Sequence, residues 1–226
     1  HFGAELSMKD VGNGSREITL IGQPELTGRK ILVPGDISSA AFIIVGAAIT
    51  PGSNVEVKNV GINPLRTGLL DSLKEMGADL KVLKVRENTN EPVADILIKY
   101  KRLKGATIPA DRAPRMIDEY PILSIAAAVA EGTSIFEGVG ELRVKESDRL
   151  TTMAEGLRDC GVTTHATANS LTITGTNGPP VGGATIASRL DHRIAMSFLV
   201  LGLVCKSPIT IDDAEPIETS FPGFIN

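Results

Sequence analysis

The chain has 226 residues, 42% hydrophobic and 22% charged, with 23 Lys and Arg against 27 Asp and Glu for a net charge of −4. That composition suits a globular protein with one sizeable core and excludes a disordered, collagenous or coiled-coil chain. Trp is absent, aromatic residues are 4% and the balance is acidic, so stacking platforms and a basic face are both missing and no nucleic-acid partner is expected.

No apolar stretch reaches the roughly 20 residues of a spanning helix, so no membrane partner is expected. The opening His1-Phe2-Gly3-Ala4-Glu5 lacks the basic start and apolar core of a signal sequence. Cys160 and Cys205 both fall inside predicted helices without metal-ligand spacing, and His1, His165 and His192 are scattered. No metal site is expected, and a reducing cytoplasm is the natural setting. Asn13-Gly14-Ser15 fits a glycosylation sequon, but without a signal sequence a tight hairpin turn is the reading adopted.

Taken in chain order, the elements repeat. The first unit opens at Ile31-Leu32-Val33, continues in an apolar helix over 39–49, turns at Pro51-Gly52 and enters a strand at Val55-Glu56-Val57. A second helix over 66–76 stops at Gly77, and strands follow over 80–85 and 94–98. The run Lys99-Tyr100-Lys101-Arg102-Leu103-Lys104 reads as a solvated strand edge guarded by lysines. The second unit opens at Thr107-Ile108-Pro109, with an apolar helix over 116–130 and a strand at Ser134-Ile135-Phe136. Its second helix covers 146–160, stops at Gly161 and leads to a hairpin of 162–165 with 171–174. The third opens at Thr185-Ile186-Ala187, with a helix over 192–205 and a strand at Ile209-Thr210-Ile211. The period is about 80 residues, and each full unit reads β-α-β-α-β-β.

The first helix of each unit is apolar nearly all round, as in Ala126-Ala127-Ala128-Val129-Ala130 and Phe198-Leu199-Val200-Leu201. Helices of that kind are buried. Three of them at equivalent places predict an inside-out α/β prism, with parallel helices in the core and sheets outside, the inverse of the usual layering. Two boundaries look artificial. The chain begins with His in the approach to a hairpin strand at Leu20-Ile21, and it stops at Phe221-Pro222-Gly223-Phe224-Ile225-Asn226 as a helix would begin. A piece of a longer protein is expected.

Polar residues collect where the core helices start: Asp36-Ile37-Ser38-Ser39, Asp118-Glu119 and Asp191-His192-Arg193, together with Arg143-Val144-Lys145-Glu146-Ser147-Asp148-Arg149 at the second helix of the middle unit. Helix N-termini present unpaired N–H groups and partial positive charge, so several converging on one face make an anion site, which Lys145, Arg149 and Arg193 would sharpen. Plainer readings stand beside this one. Asp36 and Ser38 fit a helix cap, Lys145 to Arg149 fit a solvated first turn with ion pairs, and Asp191-His192-Arg193 fit a cap with exposed neighbours. Asp118, between Met116-Ile117 and Pro121-Ile122-Leu123, is expected to face an apolar neighbourhood where an unpaired carboxylate is costly. Dinucleotide, P-loop and nucleophile-elbow motifs are absent.

Five segments resemble signatures of the 5-enolpyruvylshikimate-3-phosphate (EPSP) synthase family: Pro34-Gly35-Asp36-Ile37-Ser38-Ser39-Ala40, the stretch 112–121 around Arg115-Met116-Ile117-Asp118, Leu142 to Leu150 around Lys145-Glu146-Ser147-Asp148-Arg149, Leu190-Asp191-His192-Arg193-Ile194-Ala195-Met196, and Thr219-Ser220-Phe221-Pro222. The likeness is greatest to the bacterial class that includes glyphosate-tolerant enzymes. It implies the C-terminal half of a two-domain transferase, with 1–33 as terminal strands of the other domain and the hinge approach, and 34–226 as the C-terminal enolpyruvyl transferase domain. The implied reaction moves the enolpyruvyl group of phosphoenolpyruvate to the 5-hydroxyl of shikimate 3-phosphate and releases phosphate. It passes through a tetrahedral intermediate without metal or organic cofactor, on the route to chorismate and aromatic amino acids. The implied partners are those two substrates and the N-terminal half of the same enzyme, the whole acting as a monomer in the cytoplasm.

By the same resemblance Asp118 contacts the shikimate hydroxyls and accepts a proton, Lys145 reaches shikimate 3-phosphate, and Glu146 handles the proton at the methylene carbon. Arg149 and Arg193 clamp phosphoenolpyruvate beside His192. Two departures stand out: Thr219 replaces a lysine of many members, and Glu141 replaces an asparagine of some. The alternatives are the sister transferase acting on UDP-N-acetylglucosamine, which both cysteines lying in helices argues against, and a non-catalytic anion-binding module.

Overall fold

The computed structural model describes residues 2–12 and 15–226. Strands β1 (Leu6–Gly12) and β2 (Ser15–Leu20) pair antiparallel, Leu6 opposite Leu20 and Met8 opposite Ile18. Alternate residues of a strand share a face, so these four apolar side chains form one stripe, each more than half exposed. The Asn13-Gly14 pair expected to turn this hairpin lies outside the described residues, as does His1.

The first repeat follows as α1 (Ile37–Ile49), β3 (Asn54–Gly61), α2 (Gly68–Glu75), β4 (Asp79–Asn88) and β5 (Glu91–Lys99). The second is β6 (Thr107–Ile108), α3 (Tyr120–Val129), β7 (Thr133–Glu137), α4 (Arg149–Asp159), β8 (Thr163–Ala166) and β9 (Ser170–Thr174). The third supplies β10 (Thr185–Ile186), α5 (His192–Gly202), β11 (Thr210–Ile211) and the short α6 (Glu215–Ser220).

The sheets repeat as well. Strand order is β3-β5-β4 in the first unit, with Gly35 bridging parallel to Val60, and β6-β7-β9-β8 in the second; β10 and β11 pair parallel in the third. The second and third units therefore run strand, core helix, parallel strand, whereas in the first the expected opening strand at Ile31-Leu32-Val33 is exposed irregular chain and only the Gly35 bridge takes its place. The two full units close with an antiparallel hairpin. Helices α2 and α4 both end in a left-handed glycine, Gly77 at φ 86° and Gly161 at φ 83°. The N–H of Ala78 then reaches the carbonyl of Leu73, and that of Val162 reaches Leu157, each at 2.9 Å. This is the six-to-one closure that a glycine at that position allows.

The core is built from α1, α3 and α5, which touch one another pairwise. Ala41, Ile44, Val45, Ile125, Ala126, Ala127, Phe198 and Leu201 are wholly enclosed. On β7, Ser134 and Phe136 are buried while Thr133, Ile135 and Glu137 are exposed, so this sheet presents one face to the helices and one to solvent. Between α1 and α5 an open apolar groove of about 520 Å³ runs along Phe42, Ala47, Leu199 and Leu203 to Phe224. Among the described residues no helix is long and apolar enough to cross a membrane.

Several boundaries differ from expectation, each for a local reason. Helix α3 starts at Tyr120 instead of 116, because Pro121 suits a first turn, where no N–H is needed; two 3-10 turns, Ala110–Arg115 and Ile117–Glu119, precede it. Helix α4 starts at Arg149 instead of 146, because the Asp148 side chain accepts from the Thr151 N–H at 2.9 Å and so fixes the cap. Helix α5 ends at Gly202, with the Leu203 N–H tightening onto Val200. Cys205 therefore lies outside any helix, and Cys160 caps α4. The helix expected to begin at the chain's end instead lies before Phe221, with Pro216 in its first turn. The basic run is not a strand edge either. It leaves β5, the central strand of its sheet, at Lys99 and continues irregularly with Leu103 buried.

A polar cluster around the buried carboxylate of Asp95 holds the first sheet. Both β3 and β4 break register beside Ala94 and Asp95 of β5. The Asp95 carboxylate accepts from the Asn59 N–H at 2.9 Å and from Arg86 at 3.0 Å, with Lys84 at 3.3 Å. The Asn59 backbone hydrogen bond, aided by Arg86 and Lys84, holds Asp95 down at about 2. A carboxyl depressed in the fold stabilises it above the unfolded value near 4 and loses that contribution as pH falls through about 2. Asp95→Asn is expected to lower the urea midpoint at pH 7 and to flatten its fall between about pH 4 and about pH 2, as read by circular dichroism.

Candidate functional site

The three core helices start beside one another. Asp36 caps α1, accepting from the N–H groups of Ser38 at 3.2 Å and Ser39 at 2.8 Å. Asp191 caps α5, accepting from the Arg193 N–H at 3.0 Å. From α1, the Ser38 hydroxyl donates to Glu119 at the head of α3 at 2.5 Å, and from α5 the Arg193 guanidinium donates to the Asp118 carbonyl at 3.3 Å. The predicted convergence of helix beginnings is thus present as direct contacts.

At its centre is Arg149, the first residue of α4, whose side chain is 0% exposed. Its Nε donates to Asp191 at 2.8 Å, one terminal nitrogen to Asp118 at 3.0 Å, and the other to Glu146. Ser147 adds a hydroxyl to Asp191 at 2.9 Å. Burial would raise the Asp191 carboxyl, but the hydrogen bonds and charge of Arg149 hold it below its ordinary value. Burial works against the guanidinium too, and Asp191 raises its pKa nonetheless. Burying one charge without the other is costly.

The other expected residues gather around this pair. Asp118 is a third exposed and lies 4.0 Å from Lys145 and 3.9 Å from Arg193, so its surroundings are ionic and not apolar as the flanking sequence suggested. Met116 and Tyr120 are buried in the core, and the 3-10 turn between them brings Asp118 out to the cations. Lys145 pairs with Glu141 at 2.6 Å, which gives that departure from the family pattern a local role. Glu146 is half exposed against Arg149. Arg193 is mostly buried. His192, on the other side of α5's first turn, is half-buried, and burial followed by the neighbouring Arg193 lowers its pKa. It lines an open groove with Leu190, Asp213, Glu215 and Thr219, and a recess of about 50 Å³ with Asp36, Ser38, Arg193 and Phe221.

The sequence places Glu119 and Asp191 at the helix starts without giving them partners, and it does not bring Arg66 to the site at all. Glu119 is 1% exposed and faces Ser38, Arg193 and also Arg66, which reaches in from the turn before α2 with its guanidinium 2.8 Å from the Ser38 hydroxyl. Glu119 stands beside Asp118 at a core-helix start; Arg66, expected to open a helix over 66–76, lies in the turn before α2, which begins at Gly68. Asp191 is the cap that the sequence suggests, and it is also the partner of Arg149. Conversely, the arginines of the segment 112–121 stay out of the cluster. Arg112 forks onto Glu75 at 2.6 and 2.7 Å, and Arg115 holds Asp71 at 2.9 Å, so both tie the 3-10 turn to α2.

A repeated β-α-β-α-β-β chain with an ionic cluster at the heads of its core helices has the mixed α/β fold of enolpyruvyl transferases. An enolpyruvyl transferase of Streptomyces tendae, NikO, superposes with a TM-score of 0.74 over 99% of this chain and 49% of its own at 18% identity, which bears on fold alone. An EPSP synthase structure from Acinetobacter baumannii superposes with a TM-score of 0.90 at 48% identity, covering 99% of this chain and 50% of that one. The family model for EPSP synthase (3-phosphoshikimate 1-carboxyvinyltransferase) matches residues 1–226, and the chain belongs to that family. Relatives named 3-phosphoshikimate 1-carboxyvinyltransferase are 53% identical in Paramagnetospirillum magneticum and 55% in Methylorubrum extorquens, each over 225 residues. The chain spans about half the length of these curated relatives, 50% in both.

Replacing Arg149 by Met would leave Asp191 buried without its partner. The expected loss of folding stability is about 3–5 kcal/mol, read as a drop in the urea midpoint. A change below 1 kcal/mol would show that the guanidinium does not hold these helix heads together.

Proposed function

We propose that this chain supplies one half of a 3-phosphoshikimate 1-carboxyvinyltransferase. The observation that carries the reading is the meeting of Asp118, Lys145, Glu146, Arg149 and Arg193, drawn from three separate segments, at the heads of the core helices. Phosphoenolpyruvate and shikimate 3-phosphate are both polyanions, and fixed guanidinium and ammonium groups stabilise charge on a phosphate that departs. The enolpyruvyl group passes to the 5-hydroxyl by addition and elimination. Asp118 takes the hydroxyl proton, within reach of a ligand because it is a third exposed. Lys145 steadies shikimate 3-phosphate and the reacting centre, and half-exposed Glu146 manages the proton at the methylene carbon. Arg193 receives phosphoenolpyruvate beside His192. Arg149 is enclosed by three carboxylates, so it meets the same substrate only when Glu146, the most exposed of its partners, turns away.

The same proposal covers the architecture and the surroundings. The mutual contact of α1, α3 and α5 and the one-sided exposure of β7 support an inside-out prism over 34–226. The exposed apolar stripe on β1 and β2 supports assigning 1–33 to the sheet of the other domain, since a lone two-stranded hairpin is marginal in water. The remaining half of the enzyme is the partner, and the whole acts as a cytoplasmic monomer. The likeness to the bacterial class with glyphosate-tolerant members belongs to this reading, and inhibition of the whole enzyme by glyphosate tests it.

The 226-residue chain alone is expected to release no phosphate from phosphoenolpyruvate in the presence of shikimate 3-phosphate, and mixing it with the other half should restore release. UDP-N-acetylglucosamine should not substitute for shikimate 3-phosphate. Turnover by the chain alone, or an inert mixture, would count against the split-site reading. In the whole enzyme, Asp118→Asn is expected to lower kcat by about 10²–10⁴-fold, the usual worth of a positioned proton acceptor, with the circular dichroism spectrum unchanged.

A further inference from the structure

Glu119 takes no part in the chemistry assigned above, yet it is among the most deeply enclosed charged groups of the cluster. Its side chain is 1% exposed, and three elements converge on it. The Ser38 hydroxyl of α1 donates to it at 2.5 Å, the Arg66 guanidinium lies 3.9 Å away from the turn before α2, and the Arg193 guanidinium of α5 lies 3.8 Å away. On its own segment, Asp118 supplies like charge. The Ser38 hydroxyl donates to Glu119 while it accepts from Arg66 at 2.8 Å, a chain of donors that all point toward the carboxylate.

Glu119 is thus an internal counter-anion of Arg66 and Arg193. A carboxylate in that position competes with any incoming anion for the same guanidinium. It can stop competing without moving, by taking a proton and keeping its contact with Ser38. Resting on the reading of this face as an anion site, we propose that binding of a dianionic oxyanion at Arg193 is coupled to uptake of a proton by Glu119.

The balance is simple: one proton passes from solvent to a Glu119 oxygen, and its charge replaces that of the guanidinium drawn to the ligand. Burial already pushes the Glu119 carboxyl above its ordinary value, against the pull of Ser38, Arg193 and Arg66. A second negative charge nearby raises it further, and by linkage the anion binds more tightly wherever Glu119 is protonated.

Sulfate is the suitable probe, because unlike phosphoenolpyruvate it does not itself titrate between pH 4 and 8. In the 226-residue chain, the carboxyl carbon signal of Glu119 and the Nε–H signal of Arg193 are followed by NMR across that range, with and without sulfate. The expected result is a rise in the Glu119 midpoint by about half a pH unit or more, equivalent to about threefold tighter sulfate binding below it. In Glu119→Gln, the part of the pH dependence of sulfate binding that follows the parent's Glu119 midpoint should vanish, leaving only that of His192, which lines the same recess. If sulfate moves the Arg193 signal while the Glu119 midpoint stays fixed, the coupling is wrong and the anion site stands. If saturating sulfate moves neither signal, the anion-site reading falls with it. The first measurement needs no variant, so a Gln substitution that fails to fold leaves the test intact.

Discussion

The buried guanidinium of Arg149 is the contact on which this molecule's architecture and chemistry both turn. It joins the head of α4 to Asp191 at the head of α5 and to Asp118 before α3. Two enclosed charges are tolerated only as a hydrogen-bonded pair, and that requirement fixes the helices' relative positions to within a hydrogen bond's tolerance. The cluster that binds three helix beginnings together is therefore the one proposed above to meet substrate. A site of this kind is rigid because disordering it would unfold the core beneath it.

The consequence for function is that every cation is already engaged. Arg149 has three carboxylates, Lys145 has Glu141 and Asp118, Arg193 has Asp118 and Glu119, and Arg66 has Glu119. A face built from helix N-termini and four cations would otherwise carry strong self-repulsion. Internal carboxylates offset that repulsion, and under the proposed function anion binding is an exchange of partners. The recess at Arg193 and His192 holds only about 50 Å³ and the groove at Leu190 and Thr219 is open, which fits the proposal that further walls of the site come from another part of the enzyme.

Much of this was legible in the residues. All-round apolarity over 39–49 and 192–205 marked buried helices, since no amphipathic face was left for solvent. Glycines at 77 and 161 marked two equivalent helix ends and gave away the repeat. The motif around Lys145 and Arg149 and the pair Asp118 and Arg193 were found as one constellation. What misled was local context. The apolar neighbours of Asp118 suggested an apolar setting, whereas alternate side chains of a 3-10 turn point in different directions. The count of apolar residues carried α5 past Gly202 and so placed Cys205 in a helix, because hydrophobicity alone does not record where a backbone tightens.

Sequence by itself determined most of the helices and strands, where the unit repeats, and which residue types collect at the helix beginnings, because propensity, periodicity and capping act over a few neighbours. Only the tertiary structure decided which charge meets which. Arg66 reaching Ser38, Glu119 enclosed between α1 and α5, and Arg149 choosing Asp191 all join residues about 30 to 80 positions apart. Such pairings follow from how the core helices pack, and no local pattern carries that information.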